Sequence, residues 1–321
     1  MRVLVTGGAG YIGSVVATRL IEEGHAVTIL DDLSTGHLDA IPDGADFIEA
    51  RVHDAALALA GLQFDGVVHL AAASIVAESI ANPEKYMENN FVGTQRLLEA
   101  LGETGVNRLV FSSTAAVYGE PDEVPILESA PTRPVNPYGE SKLAVDHLLA
   151  ERATGTGFAA VSLRYFNVAG AYAGRGERHH PETHLIPIAL EAALGLRRGL
   201  KIYGDDYPTP DGTCIRDYIH VADLAEAHLA ALDTAAAGQH RIFNLGNGHG
   251  FSVRAVLDAV AKVTGAVLDV EVADRRTGDP AVLVASSHKA RDELGFAPSR
   301  PTLEVMIADA WSILQARQGE Q

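Results

Sequence analysis

The turn that follows the first apolar run constrains the fold of this chain more than any other feature. Arg2–Thr6 has the pattern of a buried strand, and Gly7, Gly10 and Gly13 follow it at the start of a predicted helix, Tyr11–Glu23. Residues without side chains let the backbone turn tightly and approach a pyrophosphate at the helix N-terminus. The spacing is typical of a dinucleotide-binding strand–helix unit, although glycine-rich turns also occur for packing alone.

A carboxylate at the end of the second predicted strand supports the same interpretation. Asp31 lies 18 residues after Gly13. A carboxylate there can accept hydrogen bonds from both adenosine ribose hydroxyls and would repel the 2′-phosphate of NADP, so we predict NAD as the cofactor. The competing interpretation is a surface turn over residues 31–34. Sequence neighbours complete this part of the predicted cofactor site: Tyr11, Ile12 and Asp32.

Short apolar runs alternate with segments of helical period along the first half of the chain. The predicted strands are Arg2–Thr6, Ala26–Leu30, Asp46–Ile48, Gly66–Ala71, Arg108–Ser112 and Ala159–Tyr165. The predicted helices between and after them include Tyr11–Glu23, Glu84–Thr104 and Tyr138–Thr154. This alternation predicts an α/β fold, a doubly wound parallel Rossmann sheet with a second, smaller α/β substrate lobe.

The composition changes after Asn167, where Gly, His, Pro and charged residues become frequent. We therefore predict an NAD-binding domain over residues 1–167 that is rejoined by residues 217–245. The second lobe is predicted to consist of residues 168–216 and 246–321. Within the rejoining segment, Tyr218–Ala235 has the pattern of a helix and Arg241–Leu245 that of a strand.

Charge and cysteine content limit the partners of the protein. The formal net charge of -17 opposes binding of a polyanion as long as a nucleic acid, so we predict no nucleic-acid partner. A chain with one cysteine, Cys214, forms no internal disulfide, which favours a reducing, cytoplasmic compartment. Apolar runs are too short for a membrane span, and we predict no membrane association.

Three side chains form a predicted catalytic group. Tyr138 and Lys142 are four residues apart at the start of a predicted helix, so both project from one face. Thr114 follows the fifth predicted strand, at the carboxyl edge where parallel sheets bind ligands. A nearby ammonium and a positive nicotinamide ring would both favour the phenolate of Tyr138 and lower its pKa. Tyr138 could then remove a hydroxyl proton as hydride leaves the same carbon, oxidising an alcohol to a ketone.

With these motifs the sequence resembles the extended short-chain dehydrogenase/reductase family along nearly its whole length, and within it the epimerases of UDP-hexoses. Four stretches carry the wider resemblance: Val3–Gly13, Phe111–Gly119, Asn136–Leu143 and Leu163–Gly170. The two that are most similar to the epimerases are Tyr203–Val221 and Arg275–Pro280. The resemblance implies NAD-dependent epimerisation at C4 of the hexose through a transient 4-keto sugar, with NAD retained throughout.

The resemblance also implies roles for individual residues. Thr114, Tyr138 and Lys142 would be catalytic, and Asn89, Tyr165 and Phe166 would help to bind NAD. The UDP-sugar would be contacted by residues largely from the second lobe: Asn167, His184, Leu185, Lys201, Ile202, Tyr203, Arg216, Tyr218, Arg276 and Asp279. Arg216 and Arg276 would neutralise the diphosphate with charge-assisted hydrogen bonds. Family members further imply a homodimer in which the helices Glu84–Thr104 and Tyr138–Thr154 pack against their symmetry mates.

Some positions differ from the family pattern. Arg51 stands where a carboxylate usually contacts adenine, and Ser74 where a lysine often reaches the pyrophosphate. His184 replaces a usual asparagine. Leu283 occupies the position that limits bulk at C2 of the sugar, and it is intermediate in size, so acceptance of N-acetylated sugars remains open.

Alternative functions remain at this point. Other UDP-sugar epimerases, acting on UDP-N-acetylglucosamine, UDP-xylose or UDP-glucuronate, differ only in the sugar pocket. Nucleotide-sugar dehydratases carry an Asp–Glu pair after the Ser–Thr equivalent, and decarboxylases keep a Glu there, whereas this chain has Ala115 and Ala116. A non-catalytic NAD-sensing module is the alternative from another class. The sequence suggests a solvated loop, and no metal site, at His179, His180 and His184.

Overall fold

A parallel sheet of seven strands forms the centre of the computed structural model, which describes residues 1–276 and 278–319. Its strands are β1 (Arg2–Thr6), β2 (Ala26–Asp31), β3 (Asp46–Glu49), β4 (Gly66–His69), β5 (Arg108–Thr114), β6 (Ala159–Tyr165) and, later in the chain, β12 (His240–Leu245). The strand order β12-β6-β5-β4-β1-β2-β3 changes direction between β1 and β4. Open α/β sheets bind ligands at this kind of switch point.

The helices cover both faces of this sheet or build the second lobe. They are α1 (Tyr11–Glu22), α2 (Ala55–Ala58), α3 (Val76–Ala81), α4 (Pro83–Tyr86), α5 (Gly93–Thr104), α6 (Pro137–Ala153), α7 (Leu185–Ala193), α8 (Val221–Thr234), α9 (Val253–Thr264), α10 (His288–Leu294) and α11 (Leu303–Gly319). None of the helices in the described ranges is long and apolar enough to cross a bilayer.

Alternate residues of β1 show why the sheet is covered on both faces. Val3 and Val5 pack in one cluster with residues of α1 and α8, whereas Leu4 packs in another with residues of α5 and α6. Successive strand residues point to opposite faces, so an unbroken apolar run requires burial on both sides. The predicted fold class, including a second lobe, is confirmed.

The smaller lobe contains short strands and its own apolar cluster. The strands are β7 (Asn167–Ala169), β8 (Ala171–Tyr172), β9 (Arg175–Gly176), β10 (Leu200–Tyr203), β11 (Ile215–His220), β13 (Gly250–Ser252), β14 (Val270–Ala273) and β15 (Val282–Leu283). Buried residues of α7, α9 and α11, such as Ile186, Val260 and Met306, form the cluster with residues of β10 and β11. Thr277, within the Arg275–Pro280 motif, lies outside the described residues.

Two predicted helices differ in detail from the structure. Residues Glu84–Thr104 are helical, but the segment Met87–Val92 between α4 and α5 is a π-helix. The prediction of a helix from Tyr218 is wrong at its start, because the helix begins at Val221 and residues 218–220 belong to β11. There they pair with Asn167–Ala169, a contact 51 residues away in sequence that local periodicity does not contain.

Candidate active site

The glycine turn after β1 leaves no room for side chains. Gly7 has a φ of 72°, and a Cβ there would lie 2.6 Å from the backbone N of Ala71. A Cβ on Gly13 would lie 2.0 Å from the carbonyl oxygen of Gly7. Helix α1 begins directly after Gly10, its N-cap, which has no side chain to cap the first N–H groups. These donors, including those of Tyr11 and Ile12, match the needs of a pyrophosphate.

Asp31 lies at the end of β2, in the predicted cofactor site. It is buried, with 7% of its surface exposed, and its carboxylate accepts hydrogen bonds from Ala9 N at 3.0 Å and Leu33 N at 2.9 Å. Burial raises the pKa of Asp31, and these two backbone hydrogen bonds oppose the shift. The adjacent Asp32 is exposed and accepts from Ser34 N at 3.0 Å, so the predicted turn and the predicted cofactor site share this segment.

The loop after β4 is held against the sheet by Asn90, a residue that the sequence analysis missed. Its side chain accepts from Ala73 N at 2.8 Å and donates to Ala73 O and Ser141 Oγ, both at 3.0 Å. The predicted cofactor residue is its neighbour Asn89, whose Oδ1 accepts from Arg51 at 3.5 Å. In the helical segment Met87–Val92, the Asn89 side chain therefore lies beside Arg51, whereas the Asn90 side chain is buried. No local sequence pattern marks Asn90, because its partners Ala73 and Ser141 are 17 and 51 residues away.

Tyr138 lies in the first turn of α6. Asn136 caps this helix by accepting from Gly139 N at 2.9 Å, and Pro137 is compatible with the first helical position. A Cβ on Gly139 would lie 2.7 Å from Ala116 O, so the helix approaches the turn after Thr114 closely. That close approach brings the phenol of Tyr138 near the Thr114 side chain.

Lys142 is buried beneath Tyr138, with 2% of its surface exposed. Its Nζ donates to Ser112 O at 2.9 Å and lies 5.9 Å from the centroid of the Tyr138 ring. Burial lowers the pKa of Lys142 to about 7, and the charge of Asp146 opposes that shift. The structure thus brings Thr114, Tyr138 and Lys142 together as the sequence predicts.

The electrostatics of Tyr138 differ from the expectation in one respect. Burial raises the pKa of its phenol, and the hydrogen bond from Thr114 lowers it. The ammonium of Lys142, which the sequence analysis expects to lower that pKa, is itself shifted toward neutrality by burial. The chain's own groups therefore do not favour the phenolate strongly, and a positive nicotinamide ring is the remaining group of the predicted site that would do so.

A buried ion pair lies in the core next to the predicted catalytic group. Arg164 donates to Asp146 Oδ2 from Nε at 3.0 Å and from Nη2 at 2.8 Å, and to Tyr118 at 3.0 Å. Tyr118 in turn donates to Asn244 at 2.7 Å. These contacts join α6 to β6 and β12, one helical turn from Lys142. Sequence reasoning missed them because each partner pair is 18 or more residues apart.

Tyr165 and Phe166, the predicted cofactor residues after β6, have different surroundings. The Tyr165 hydroxyl is hydrogen-bonded to Ser112 Oγ, next to the carbonyl that binds Lys142. Phe166 packs with Leu283 against a small apolar cluster that contains Val117 and Tyr118. Leu283, which is predicted to limit bulk at C2 of the sugar, therefore lies against the turn that follows Thr114.

Two arginines of the predicted substrate site are paired with groups of the second lobe. The Arg216 guanidinium forms an ion pair with Asp279, and the side chain is 15% exposed. Arg216 is also the register partner of Leu283 on β15. The Arg276 guanidinium stacks on Tyr203, 3.9 Å from the ring centroid. Two preorganised guanidinium groups suit a diphosphate better than mobile lysines would.

The other predicted substrate residues have mixed environments. Lys201 is on the surface and faces Glu271 at 3.5 Å, while Ile202 and Tyr218 are buried in the apolar cluster of the second lobe. Asn167 donates to Asp217 O at 3.1 Å. Leu185 opens α7, and His184 is its N-cap residue. The fold places these residues around β7, β10, β11 and α7.

Asp217, between two predicted substrate residues on β11, was missed by the sequence analysis. It is fully buried, and its carboxylate accepts from Asn247 N at 2.8 Å, Gly248 N at 3.1 Å and Ala285 N at 3.0 Å. Burial raises its pKa to about 6, and these N–H groups oppose the shift. Asp217 therefore fixes the loops on either side of Arg216.

We expect Asp217→Ala to reduce the free energy of unfolding by at least about 2 kcal/mol, because buried N–H donors lose their acceptor. Urea denaturation followed by circular dichroism measures this loss. Asp233→Ala, at an exposed position of α8, is the matched control and should change stability by less than about 0.5 kcal/mol. Equal stabilities of the two variants would contradict the role given to Asp217.

Known proteins are similar to this chain along nearly its whole length. Residues 3–246 match the model of the NAD dependent epimerase/dehydratase family. The chain is 53% identical over 317 residues to the UDP-glucose 4-epimerase of Corynebacterium glutamicum, covering 98% of this chain and 96% of the relative. It is 56% identical over 312 residues to the UDP-glucose 4-epimerase of Streptomyces lividans, covering 96% and 94%.

The fold is likewise similar to solved structures. One is the UDP-glucose-4-epimerase of Stenotrophomonas maltophila with bound NAD and formylated UDP-arabinopyranose. It superimposes with a TM-score of 0.95 at 39% identity, and the match covers 100% of each chain. The similarity thus includes both the sheet that carries the glycine turn and the second lobe.

Proposed function

The chain belongs to the NAD dependent epimerase/dehydratase family, and on that basis we propose that it interconverts UDP-glucose and UDP-galactose by oxidation and reduction at C4. The observation that carries this function is the arrangement of Thr114, Tyr138 and Lys142 at the carboxyl edge of the sheet. It supplies a proton acceptor beside the dinucleotide turn. Ala115 and Ala116 follow Thr114, so the acid–base pair of an elimination reaction is missing at that place.

The cofactor is NAD, and the residues of the glycine turn fit it. The N-terminus of α1, where Gly10 provides no side-chain cap, suits the pyrophosphate, and Asp31 ends β2 beside the turn with a carboxylate suited to ribose hydroxyls. NAD supplies the hydride acceptor and donor for C4 when it is bound. Asn89, Tyr165 and Phe166 would also help to hold it.

The catalytic residues handle the proton. Tyr138 takes the proton of the C4 hydroxyl as the hydride leaves C4, and returns it when the hydride comes back to the other face of the 4-keto sugar. Thr114 holds the same oxygen through its hydroxyl. Lys142, anchored on Ser112 O, lies beneath the phenol and orients Tyr138.

The second lobe holds the nucleotide and leaves the sugar free to turn. Arg216 and Arg276 neutralise the diphosphate, and the other predicted substrate residues surround them. We assign residues 1–167 and 217–245 to the NAD-binding domain and residues 168–216 and 246–321 to the substrate lobe, with β11 crossing from one to the other. Support comes from β12, which pairs with β6 in the central sheet, and from the separate apolar cluster of α7, α9 and α11.

The function is tested by proton NMR of the purified protein incubated with UDP-galactose and no added NAD. We expect the anomeric signals of UDP-glucose to appear, because the cofactor is recycled in each turnover and stays bound. If no conversion occurs even after NAD is supplied, the proposed substrate is wrong. UDP-N-acetylgalactosamine, tested in parallel, measures how far Leu283 limits bulk at C2.

Substitution of Arg216 tests the anchoring of the diphosphate. We expect Arg216→Leu to raise the KM for UDP-galactose by about 10- to 100-fold, because hydrogen bonds to charged groups contribute about 1.5–3 kcal/mol. Bound NAD should be unchanged. The matched control is Arg254→Leu, since the Arg254 side chain is 43% exposed and its ion pair with Asp205 is long, at 4.0 Å. A KM equal to that of the control would remove Arg216 from the substrate site.

We further propose a homodimer that packs the helical segment 84–104 and α6 against their symmetry mates. The neighbouring helix α3 contacts α6 and exposes Ile80 by 67%, an apolar surface that a partner would cover. Light scattering at micromolar concentration should give twice the mass of one chain. A monomeric mass would contradict the proposal.

We place the protein in the cytoplasm, because the free thiol of Cys214 suits a reducing compartment.

A further inference from the structure

The loop between β9 and α7 gathers two histidines and two glutamates at one point. One potential metal-ligand atom from each of Glu177, His179, Glu182 and His184 lies within 4.8 Å of all the others. The sequence by itself suggests a solvated loop and no metal site at these histidines, because no clear arrangement of carboxylates completes one. The folded loop supplies them, and the third histidine, His180, is not part of the cluster.

The distances within the cluster are close to those of a metal site. The Nδ1 atoms of His179 and His184 lie 2.9 and 2.7 Å from the same oxygen, Glu177 Oε1. His184 Nδ1 is also 3.0 Å from Glu182 Oε1. Ligand atoms about 2.0–2.1 Å from a tetrahedral ion are roughly 3.3 Å apart. These three pairs would therefore move apart by about half an ångström, and the remaining pairs, which lie within 4.8 Å, would close by at most about 1.5 Å.

The two carboxylates are held in place before any ion arrives. The side chains of Glu177 and Glu182 are 9% and 5% exposed. Glu182 Oε1 accepts from Thr183 N at 2.7 Å and from His184 N at 2.8 Å. Such hydrogen bonds orient metal ligands in known sites. Buried carboxylates require a positive partner. His184 pairs with both of them in the ion-free loop, and a divalent cation would take over that role.

The location of the cluster suggests what an ion would stabilise. Glu177 and His179 follow β9, and His184 is the N-cap residue of α7, so one ion would join the two ends of the loop. His179 also lines a cleft together with Gly10 and Tyr11 of the cofactor turn. Burial raises the pKa of Tyr11, and the negative charges of Glu177 and Glu182, close by, raise it further.

We propose that Glu177, His179, Glu182 and His184 bind one divalent transition-metal ion, with Zn²⁺ preferred. Two imidazole nitrogens and two carboxylate oxygens suit Zn²⁺ better than Mg²⁺ or Ca²⁺, which prefer oxygen ligands only. Four protein ligands leave no open position, so the ion stabilises the fold and takes no part in the chemistry at C4. Coordination through Nδ1 leaves Nε2 of His184 for other contacts.

The test is zinc binding by the full chain after dialysis against a chelator. Titration with ZnCl₂ in competition with a chromophoric chelator should show one ion per chain, and bound Zn²⁺ should raise the Tm. Co²⁺ in place of Zn²⁺ should give the intense visible absorption of tetrahedral coordination. His179→Ala should weaken zinc binding by more than the roughly 10- to 100-fold that loss of an outer-shell partner costs.

His180→Ala is the matched control, since His180 is an exposed histidine of the same loop, and it should bind zinc like the unmodified chain. If circular dichroism shows that His179→Ala does not fold, zinc binding is measured with Glu177→Gln instead. Its side chain is isosteric with glutamate and has a lower affinity for cations. No zinc binding by the unmodified chain overturns the proposal. Equal affinities of the unmodified chain, His179→Ala and Glu177→Gln overturn it as well.

Discussion

Tyr138→Phe should lower kcat for UDP-galactose by about 10²- to 10⁴-fold, the usual contribution of a general acid–base group. The phenol lies near Thr114 and above Lys142, so it is the group placed to accept the C4 hydroxyl proton. Phenylalanine keeps the ring and its edge contact with Tyr86, at 6.4 Å between centroids. The variant should therefore fold, retain NAD and bind UDP-galactose with a nearly unchanged KM.

The measurement is the initial rate of UDP-glucose formation by a coupled assay, with the NAD content of each preparation determined after denaturation. Tyr172→Phe is the matched control, because it removes a hydroxyl that binds Glu22 at 2.9 Å on the surface. Its rate should equal that of the unmodified chain. A Tyr138→Phe enzyme with more than about a tenth of the normal kcat would exclude the phenol as the essential base.

Gly13→Ala should release NAD and destabilise the protein by about 3 kcal/mol or more. The new Cβ would lie 2.0 Å from Gly7 O and 2.9 Å from the Cα of Gly8, and both contacts are with backbone. Gly7 cannot move away freely, because its N–H donates to Leu30 O at 2.9 Å and its O accepts from Gly10 N at 3.2 Å. Overpacking against yielding side chains already costs about 1–3 kcal/mol.

The NAD content of purified protein and its urea denaturation curve measure the two effects. We expect bound NAD to fall by at least tenfold, which corresponds to about 1.4 kcal/mol of binding free energy. Gly319→Ala is the control, since a Cβ at that helical position meets nothing within 4 Å. Normal NAD content in Gly13→Ala would mean that the turn relaxes and that the close approach is not essential.

Local sequence patterns were sufficient for most of the central sheet. The predicted strands Arg2–Thr6 and Ala159–Tyr165 have the predicted bounds, and β2 extends one residue beyond its prediction to include Asp31. Buried parallel strands are unbroken apolar runs between turn residues, so their signal is contained in a few consecutive positions. The predicted catalytic pair Tyr138 and Lys142 was also a local signal, because i,i+4 spacing on a helix is enough to place both on one face.

Residues that depend on distant partners were not predicted. Asn90 and Asp146 are buried polar residues whose partners include Ser141 and Arg164, respectively, and Asp217 binds three backbone N–H groups from two separate loops. In sequence each is an ordinary polar residue. Their importance follows from burial, because a buried polar group must find hydrogen-bond partners, and those partners are chosen by the tertiary fold.

The amino-acid sequence by itself determined the class of the fold and the cofactor turn, and it predicted the catalytic side chains, because strand and helix periodicity, glycine spacing and the i,i+4 pair are all local. The tertiary structure alone decided that residues 218–220 form a strand, that burial shifts the pKa of Tyr138 upward and that of Lys142 downward, and that Glu177 and Glu182 meet His179 and His184. Each of these depends on which groups exclude water from one another, and desolvation and pairing exist only once the chain has folded.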